Sequence, residues 1–189
     1  LLKEQLKSWF IEISKIENKK ISFIFIFALL TGARKNGILS LEWKDIDFRW
    51  KTIHLKDKVE KDGRIIPMTR YIEHILKELR KYKESNYVLS STKSNTGHIV
   101  NPYKEFDKVR KTLHINITIH GLRRSFETLS GWTTIPQGVT HQVSGHKADT
   151  ITEIHYTVRP IDMLRMHLQD YEDWIIENAE INLPIELNA

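Results

Sequence analysis

The apolar positions of this chain recur mainly at intervals of three and four residues, the spacing of helices that each bury one face. Residues 2–17 follow this pattern, and residues 20–31 are so uniformly apolar that they predict a buried helix closed by Gly32. The same periodicity predicts further helices over residues 35–41, 69–82, 102–113, 121–132, 135–144 and 161–179. The chain is therefore predicted to be mostly helical.

A different pattern marks the section between residues 41 and 69. Residues 46–55 and 64–69 are rich in β-branched and aromatic side chains, which favours strands, and Asp62-Gly63 supplies a turn between them. The polar stretch 90–101 has no periodicity and is predicted to be a loop. The predicted fold class is thus mainly α with a small antiparallel β-sheet (α+β).

Composition narrows the classes of protein to which this fold can belong. The chain has 189 residues, of which 40% are hydrophobic, enough for one folded domain. Lys and Arg outnumber Asp and Glu by 29 to 24, and this net charge of +5 favours an anionic partner, nucleic acid before membrane. Cysteine is absent, which excludes disulfides and thiolate chemistry. The most apolar run, Ile21–Leu30, is too short to span a bilayer.

Five polar side chains stand in an order that suggests chemistry. Arg34 follows a Thr-Gly pair at the predicted junction of two helices, where backbone N–H groups favour an anion. His120 and Arg123, three residues apart at a helix start, share one face. His146 belongs to a Gly-His turn, and Tyr156 follows ten residues later. Alone, each is more often a helix cap, a surface residue or a half-buried aromatic side chain, so only the set is informative.

Together these side chains supply what phosphoryl transfer at a DNA diester requires. Two guanidinium forks can bind non-bridging oxygens and stabilise the pentacoordinate transition state. A histidine can exchange protons near neutral pH, and a hydroxyl nucleophile can form a covalent intermediate without ATP. This chemistry needs no metal and no other cofactor. A metal hydrolase that uses His141, His146 and His155 is a weak alternative, because their spacing matches no known ligand pattern.

The order of these residues resembles the catalytic domain of the tyrosine recombinases, the phage integrase family. The likeness extends over almost the whole chain, and it is nearest to integrases of temperate phages and prophages of enteric-type bacteria. The segments that carry it are TGARKNGILSLEWKDIDF, DKVEKDGRIIPMT, HGLRRSFETLS, VSGHKADT and HYTVRPIDMLR. The function that it implies is site-specific DNA recombination, for integration and excision, by strand cleavage and rejoining.

The resemblance implies a role for each site residue. Arg34 and Arg123 would clamp the scissile phosphate. His120 would act as acid or base near the nucleophile, and His146 would hydrogen-bond the phosphate or the leaving group. Tyr156 would attack phosphorus, forming a 3′-phosphotyrosyl bond and leaving a free 5′-hydroxyl. Because a tyrosine hydroxyl has a pKa of about 10 in water, the cationic cluster or His120 would have to help remove its proton.

Two further positions follow from the resemblance. The catalytic lysine of the family lies on the hairpin between the second and third strands, where Lys58 fits best by its flanking residues. Lys61, nearer the turn, is the alternative. Gly37 departs from the family, which usually carries an acidic residue, often Glu, three residues after the first arginine. Since that acidic side chain normally supports the site from behind, the support of the first arginine is in question.

Other readings stay open beside the recombinase. A degenerate recombinase kept as a DNA-binding regulator would bind DNA without chemistry, although the complete set of catalytic side chains argues against it. A type IB topoisomerase shares the chemistry and would relax supercoiled DNA by free rotation. Within the recombinase reading, Tyr171 is the next candidate nucleophile if Tyr156 fails.

The resemblance also predicts domain organisation and partners. Residues 1–179 would form the catalytic domain and residues 180–189 a tail that docks on a neighbouring subunit, while N-terminal DNA-binding domains would be absent from this fragment. The partners would be double-stranded DNA attachment sites, accessory DNA-bending proteins and excisionase, with no membrane. The enzyme would act as a homotetramer on DNA, although the isolated domain would be a monomer. The expected location is the bacterial cytoplasm, at the nucleoid when bound to DNA.

Overall fold

Helices dominate the described part of the chain. The structure, a computed structural model, describes residues 1–56, 62–146 and 158–181. Its helices in these ranges are α1 (Leu6–Ser14), α2 (Lys19–Thr31), α3 (Lys35–Leu39), α4 (Arg70–Arg80), α5 (Tyr103–Leu113), α6 (Ile119–Ser130), α7 (Gln137–Ser144) and α8 (Ile161–Asn178). Its strands are β1 (Ile46–Asp47), β2 (Thr52–Leu55) and β3 (Arg64–Pro67), and short 3₁₀ turns lie at Lys3–Gln5 and Trp43–Asp45. Each predicted helix is present, with ends that differ by a few residues, and the mainly α fold class is confirmed.

Helix α2 forms the centre of the core. Every residue from Phe23 to Leu30 is buried, and the helix packs most extensively against α6. It ends, as predicted, at Gly32, whose φ of 62° lies in the left-handed region. A Cβ at this glycine would lie 2.6 Å from the ring of Phe126, so α6 passes too close for any side chain. Although α2 is strongly apolar, no helix within the described ranges is both long and apolar enough to cross a membrane.

The sheet corrects one prediction. Its strands are antiparallel in the order β1-β2-β3, but the single strand predicted over residues 46–55 is two strands separated by a turn. Asp47 Oδ1 accepts hydrogen bonds from the backbone N–H groups of Arg49 and Trp50, each over 2.9 Å. Lys51 then adopts a φ of 50°. An aspartate that binds the backbone two residues further on makes a turn of its own, and here it outweighs the strand preference of the aromatic side chains.

Helix α8 covers the sheet and packs against β3. The inward face of this helix is not wholly apolar, because Met163 is 40% exposed, whereas a carboxylate, Glu172, is 1% exposed. Beyond the helix, Glu180 pairs with Lys7 of α1 over 2.5 Å, and Ile181 packs against the core. The rest of the predicted tail, residues 182–189, lies outside the described residues.

Candidate active site

Three arginines from different elements meet at the C-terminal end of α7. They bind the three consecutive carbonyl oxygens of residues 143–145. Arg64 Nε, at the start of β3, donates to the first over 2.8 Å, Arg123 Nη1 of α6 donates to the second, and Arg34 Nη2 donates to the third over 2.8 Å. We call these three side chains the arginine cap. The last carbonyls of a helix lack intrahelical partners and carry partial negative charge, so they orient the guanidinium groups.

The two predicted clamp residues belong to this cap. Arg34 lies at the junction that the sequence predicted, as the extended residue immediately before α3, and its guanidinium reaches a carbonyl 111 residues further along the chain. Arg123 is 3% exposed, and its Nη1 also donates to the carbonyl of Gly32 over 2.7 Å. It therefore ties the end of α2 to the end of α7. Both arginines are therefore held at the C-terminal end of α7 by hydrogen bonds to backbone carbonyls.

His120 and Arg123 face the same cleft, as their spacing predicted. The cleft has a volume of about 740 Å³ and is lined by both side chains and by Arg34. The hydroxyl of Thr118 accepts the N–H of Gly121 over 2.9 Å and so caps the first turn of α6. His120 lies in this first turn and is exposed to the cleft.

His146 follows directly after the capped helix end. Gly145 has a φ of 71°, and the backbone N–H of His146 donates to the carbonyl of His141 over 2.9 Å. The imidazole Nδ1 lies 3.2 Å from Oε1 of Glu127, on α6. Burial, followed by the Arg123 guanidinium, lowers the pKa of His146, whereas Glu127 acts to raise it. Sequence reasoning missed Glu127, although it lies one helical turn after Arg123 on the same face.

Backbone occupies the place of the acidic side chain that Gly37 lacks. A Cβ at Gly37 would lie 2.9 Å from the carbonyl oxygen of Lys56, the residue after β2. Lys56 also lines the cleft, and its Nζ pairs with Glu42 and, over 3.3 Å, with Asp45. The hydrogen bond that Lys56 donates to Glu42 raises the pKa of this lysine. Two carboxylates, those of Glu42 and Asp45, therefore lie beside Lys56 at the edge of the cleft, and the sequence analysis predicted neither.

Comparison with known proteins identifies the family of this chain. Residues 1–160 match the model of the phage integrase family. The chain belongs to the phage integrase family. The prophage integrase IntF of Escherichia coli strain K12 is 39% identical over 189 residues, which cover 97% of this chain and 40% of that protein. This chain therefore spans less than half the length of that relative.

Solved structures share the fold. The integrase from mycobacterium phage Brujita superposes with a TM-score of 0.68 at 14% identity, over 95% of this chain and 59% of that one. The XerH site-specific recombinase, in a pre-cleavage complex with its difH substrate, gives 0.65 at 21% identity, over 88% of this chain and 49% of that one. At such identities the likeness establishes the fold, that of the catalytic domain of the phage integrase family.

Three of the predicted residues lie outside the described residues: Lys58, its alternative Lys61, and Tyr156. The turn was predicted at Asp62-Gly63, and Gly63 has a left-handed φ of 68° as such a turn requires. The alternative nucleophile, Tyr171, is fully buried on α8 and donates its hydroxyl to the carbonyl of Leu29 over 3.2 Å. Burial raises its pKa well above the usual range. Because Tyr171 can neither reach the cleft nor ionise easily, it does not serve as the second candidate.

Proposed function

We propose that this chain is the catalytic part of a site-specific recombinase that integrates and excises phage or prophage DNA. It cleaves and rejoins double-stranded DNA through a 3′-phosphotyrosyl intermediate. The observation that carries the proposal is the arginine cap beside the cleft, in which Arg34 and Arg123 hold adjacent carbonyls of one helix end. Membership of the phage integrase family supports the same chemistry.

The cap suits a phosphodiester because its guanidinium groups are already oriented. Carbonyl contacts fix Arg34 and Arg123 before any substrate arrives, so little reorganisation is needed when negative charge develops on the phosphate oxygens. Arg123 is 3% exposed, and the weak screening around a buried guanidinium strengthens its attraction for an anion. The cleft of about 740 Å³ leaves room for the scissile phosphate and its sugar neighbours.

The proposed reaction uses one proton donor and one acceptor. The hydroxyl oxygen of Tyr156 bonds to phosphorus while the bond from phosphorus to the 5′-oxygen breaks. The tyrosine proton passes to His120, and Lys58, or Lys61 in its place, protonates the leaving 5′-oxygen. His146 hydrogen-bonds a non-bridging oxygen. Attack by a 5′-hydroxyl on the phosphotyrosine reverses these steps and rejoins the strand, so neither metal nor ATP takes part.

The proposed partners follow from the family and the named relatives. The XerH recombinase is bound to its difH substrate, which supports double-stranded DNA attachment sites as the substrate here. We infer a homotetramer on DNA, assisted by DNA-bending proteins and excisionase, in the bacterial cytoplasm. Residues 1–179 are the proposed catalytic domain. The tail of residues 180–189 docks on a neighbouring subunit in the assembled complex, where Glu180 and Ile181 give up their contacts with Lys7 and the core of their own domain.

The test is a covalent adduct on a nicked DNA duplex that carries a candidate attachment core. The full-length protein should form an adduct that survives a denaturing gel, and Tyr156→Phe should abolish it while DNA affinity stays nearly unchanged. Tyr82→Phe, at an exposed tyrosine, is the matched control and should react normally. A Tyr156→Phe variant that still forms the adduct would refute the assignment of Tyr156 as the nucleophile.

The alternative function is a catalytically silent DNA-binding regulator derived from a recombinase. Gly37 favours it, since no side chain at this position can support the site as the acidic residue of the family does. A regulator would bind the duplex and form no adduct even as the wild-type protein. Relaxation of supercoiled DNA without recombination would instead indicate a topoisomerase.

A further inference from the structure

A buried carboxylate oxygen beside His146 has no role in the reaction as proposed so far. Glu127 Oε1 is shielded from solvent and, within the described ranges, makes no aligned hydrogen bond. The nearest ionisable group is the imidazole of His146, whose Nδ1 lies 3.2 Å away. The side chain as a whole is 30% exposed, but this oxygen is shielded from water, so a proton on Nδ1 of the imidazole is the nearby group that can stabilise it.

The two ring nitrogens of His146 then take different tasks. A carboxylate at Nδ1 favours a proton on that nitrogen in every state of the ring, which leaves Nε2 for the substrate. With Nδ1 protonated, Nε2 donates a hydrogen bond to a phosphate oxygen only when the ring is an imidazolium. Glu127 therefore favours the state of His146 that can bind the phosphate.

The other charged groups around the ring oppose that state. Arg123 of α6, Arg34 at the start of α3 and His141 of α7 each disfavour a positive imidazole, as does burial. Arg64 of β3 adds a further cation, since its guanidinium packs against Gly145, the preceding residue. Glu127 is the one anion among the described groups that act on His146, so it opposes the lowering of the His146 pKa by the arginine cap.

The orientation of His146 is held from both sides. Its backbone N–H is bound to the His141 carbonyl over 2.9 Å, and the ring of His141 stands edge-on to the imidazole with centroids 5.3 Å apart. Oε1 of Glu127, 3.2 Å from Nδ1, attracts that side of the ring when Nδ1 carries a proton. We propose that Glu127 is a positioning residue that holds His146 with Nδ1 protonated and Nε2 directed to the scissile phosphate. This inference rests on the proposed role of His146.

The experiment compares Glu127→Gln with Glu127→Ala in the full-length protein. The rate of adduct formation on the nicked duplex is measured in single turnover from pH 4.5 to pH 8.5. Gln keeps an acceptor but loses the charge, so its rate should match the wild type at low pH and fall about tenfold below it at high pH. Ala loses the acceptor as well and should be slower at every pH. Glu12→Gln, at a carboxylate of α1 paired with Lys15, is the control and should behave as the wild type.

A double-mutant cycle separates positioning from a merely structural role. In a His146→Ala background, Glu127→Gln should cause no further loss, because its effect passes through the imidazole. An equal loss in both backgrounds would overturn the proposal.

A second measurement does not depend on catalysis. The ¹⁵N chemical shifts of the His146 ring should report that Glu127→Gln lowers its pKa and weakens the preference for a proton on Nδ1. An unchanged titration would also overturn the proposal. A wild type that forms no adduct, combined with the expected titration, would refute the proposed function and leave the positioning contact intact.

Discussion

Two helix ends in this protein are completed by charged side chains from distant parts of the chain. At the N-terminus of α4, Glu172 Oε1 accepts the backbone N–H of Tyr71 over 2.8 Å, and Oε2 accepts the Thr69 hydroxyl. At the C-terminus of α7 stands the arginine cap. Both arrangements match the helix dipole, with an anion at the positive end and cations at the negative end.

The two ends differ in the balance of charge. When it is ionised, Glu172 places one negative charge, enclosed at 1% exposure, against a helix terminus of about half a positive charge, so this end is closed and nearly neutral. The arginine cap sets three positive charges against about half a negative charge, beside an open cleft. The comparison teaches that the first end holds the fold together, whereas the second carries excess positive charge that suits a bound anion. The following substitutions test that division.

Arg123→Lys should have the largest effect and should act on chemistry. Lysine keeps the charge, but one ammonium cannot bridge the carbonyls of Gly32 and Ser144 and also present a planar fork to phosphate. Adduct formation in single turnover should fall about 100- to 1000-fold, with DNA affinity nearly unchanged. Arg80→Lys, on α4 over the ring of Phe48, serves as the control. Near-normal cleavage by the lysine variant would show that Arg123 only links the ends of α2 and α7 and does not bind the phosphate.

Glu172→Gln should act on stability and leave cleavage alone. Burial raises the pKa of Glu172 from 4.5 to about 7, against the opposing hydrogen bonds from Thr69 and Tyr71. Between these values the folded protein binds a proton that the unfolded chain has lost. The free energy of unfolding should therefore fall by about 3 kcal/mol as the pH rises through this window.

The glutamine variant cannot lose a proton at this position and so should lack that contribution. Urea titrations of both proteins between pH 4.5 and pH 8 give the difference in unfolding free energy, which cancels other groups such as His146, whose lowered pKa contributes with the opposite sign. A difference that stays constant with pH would mean that Glu172 is ionised throughout and that its hydrogen bonds outweigh its burial.

Features that depend on residues close together in the sequence could be predicted. Helix α2, its closure at Gly32 and the shared face of His120 and Arg123 depend on spacing within a few residues, and the structure has them as predicted. The turn at Asp47 was missed because the aromatic residues after it favoured a strand.

Long-range polar contacts left no such signal. Arg64 reaches a carbonyl 79 residues away, and Glu172 reaches an N–H 101 residues away. A single charged residue in an amphipathic pattern is usually a solvated side chain, so nothing in the periodicity distinguishes these two from the others. The predicted site residues were found because the family assigns a role to each of them. Glu127 and Arg64 lie in segments that carry the resemblance but were given no such role.

Arg64→Ala should have an intermediate effect on both stability and chemistry. It removes the hydrogen bond to the Val143 carbonyl and the packing against Gly145, which together orient the end of α7. Unfolding in urea should become easier by about 1.5–3 kcal/mol, and cleavage should fall less than for Arg123→Lys. Arg49→Ala, at the exposed β1–β2 turn, is the control. If Arg64→Ala abolished cleavage in a fully stable protein, Arg64 would be a third phosphate ligand.

Gly37→Ala should have the smallest effect, and its sign tests how tightly the cleft wall is packed. In a helix interior alanine is normally more favourable than glycine by about 1 kcal/mol. The new Cβ would lie 2.9 Å from the carbonyl oxygen of Lys56, which belongs to backbone and cannot rotate away. The contact should cancel the gain and leave the free energy of unfolding unchanged or lower by less than about 1 kcal/mol. Asn36→Ala, on the exposed side of the same helix, should instead stabilise the protein.

The matching functional test is Gly37→Glu, which restores the acidic residue usual in the family. Its Cβ meets the same carbonyl, so the carboxylate can enter only if the end of β2 shifts, and β2 leads into the segment that holds Lys58. Adduct formation should therefore fall rather than rise. A Gly37→Glu variant that cleaves faster than the wild type would show that the backbone at Lys56 can shift. It would also show that Glu42 and Asp45 do not supply the support that the acidic residue gives in the family.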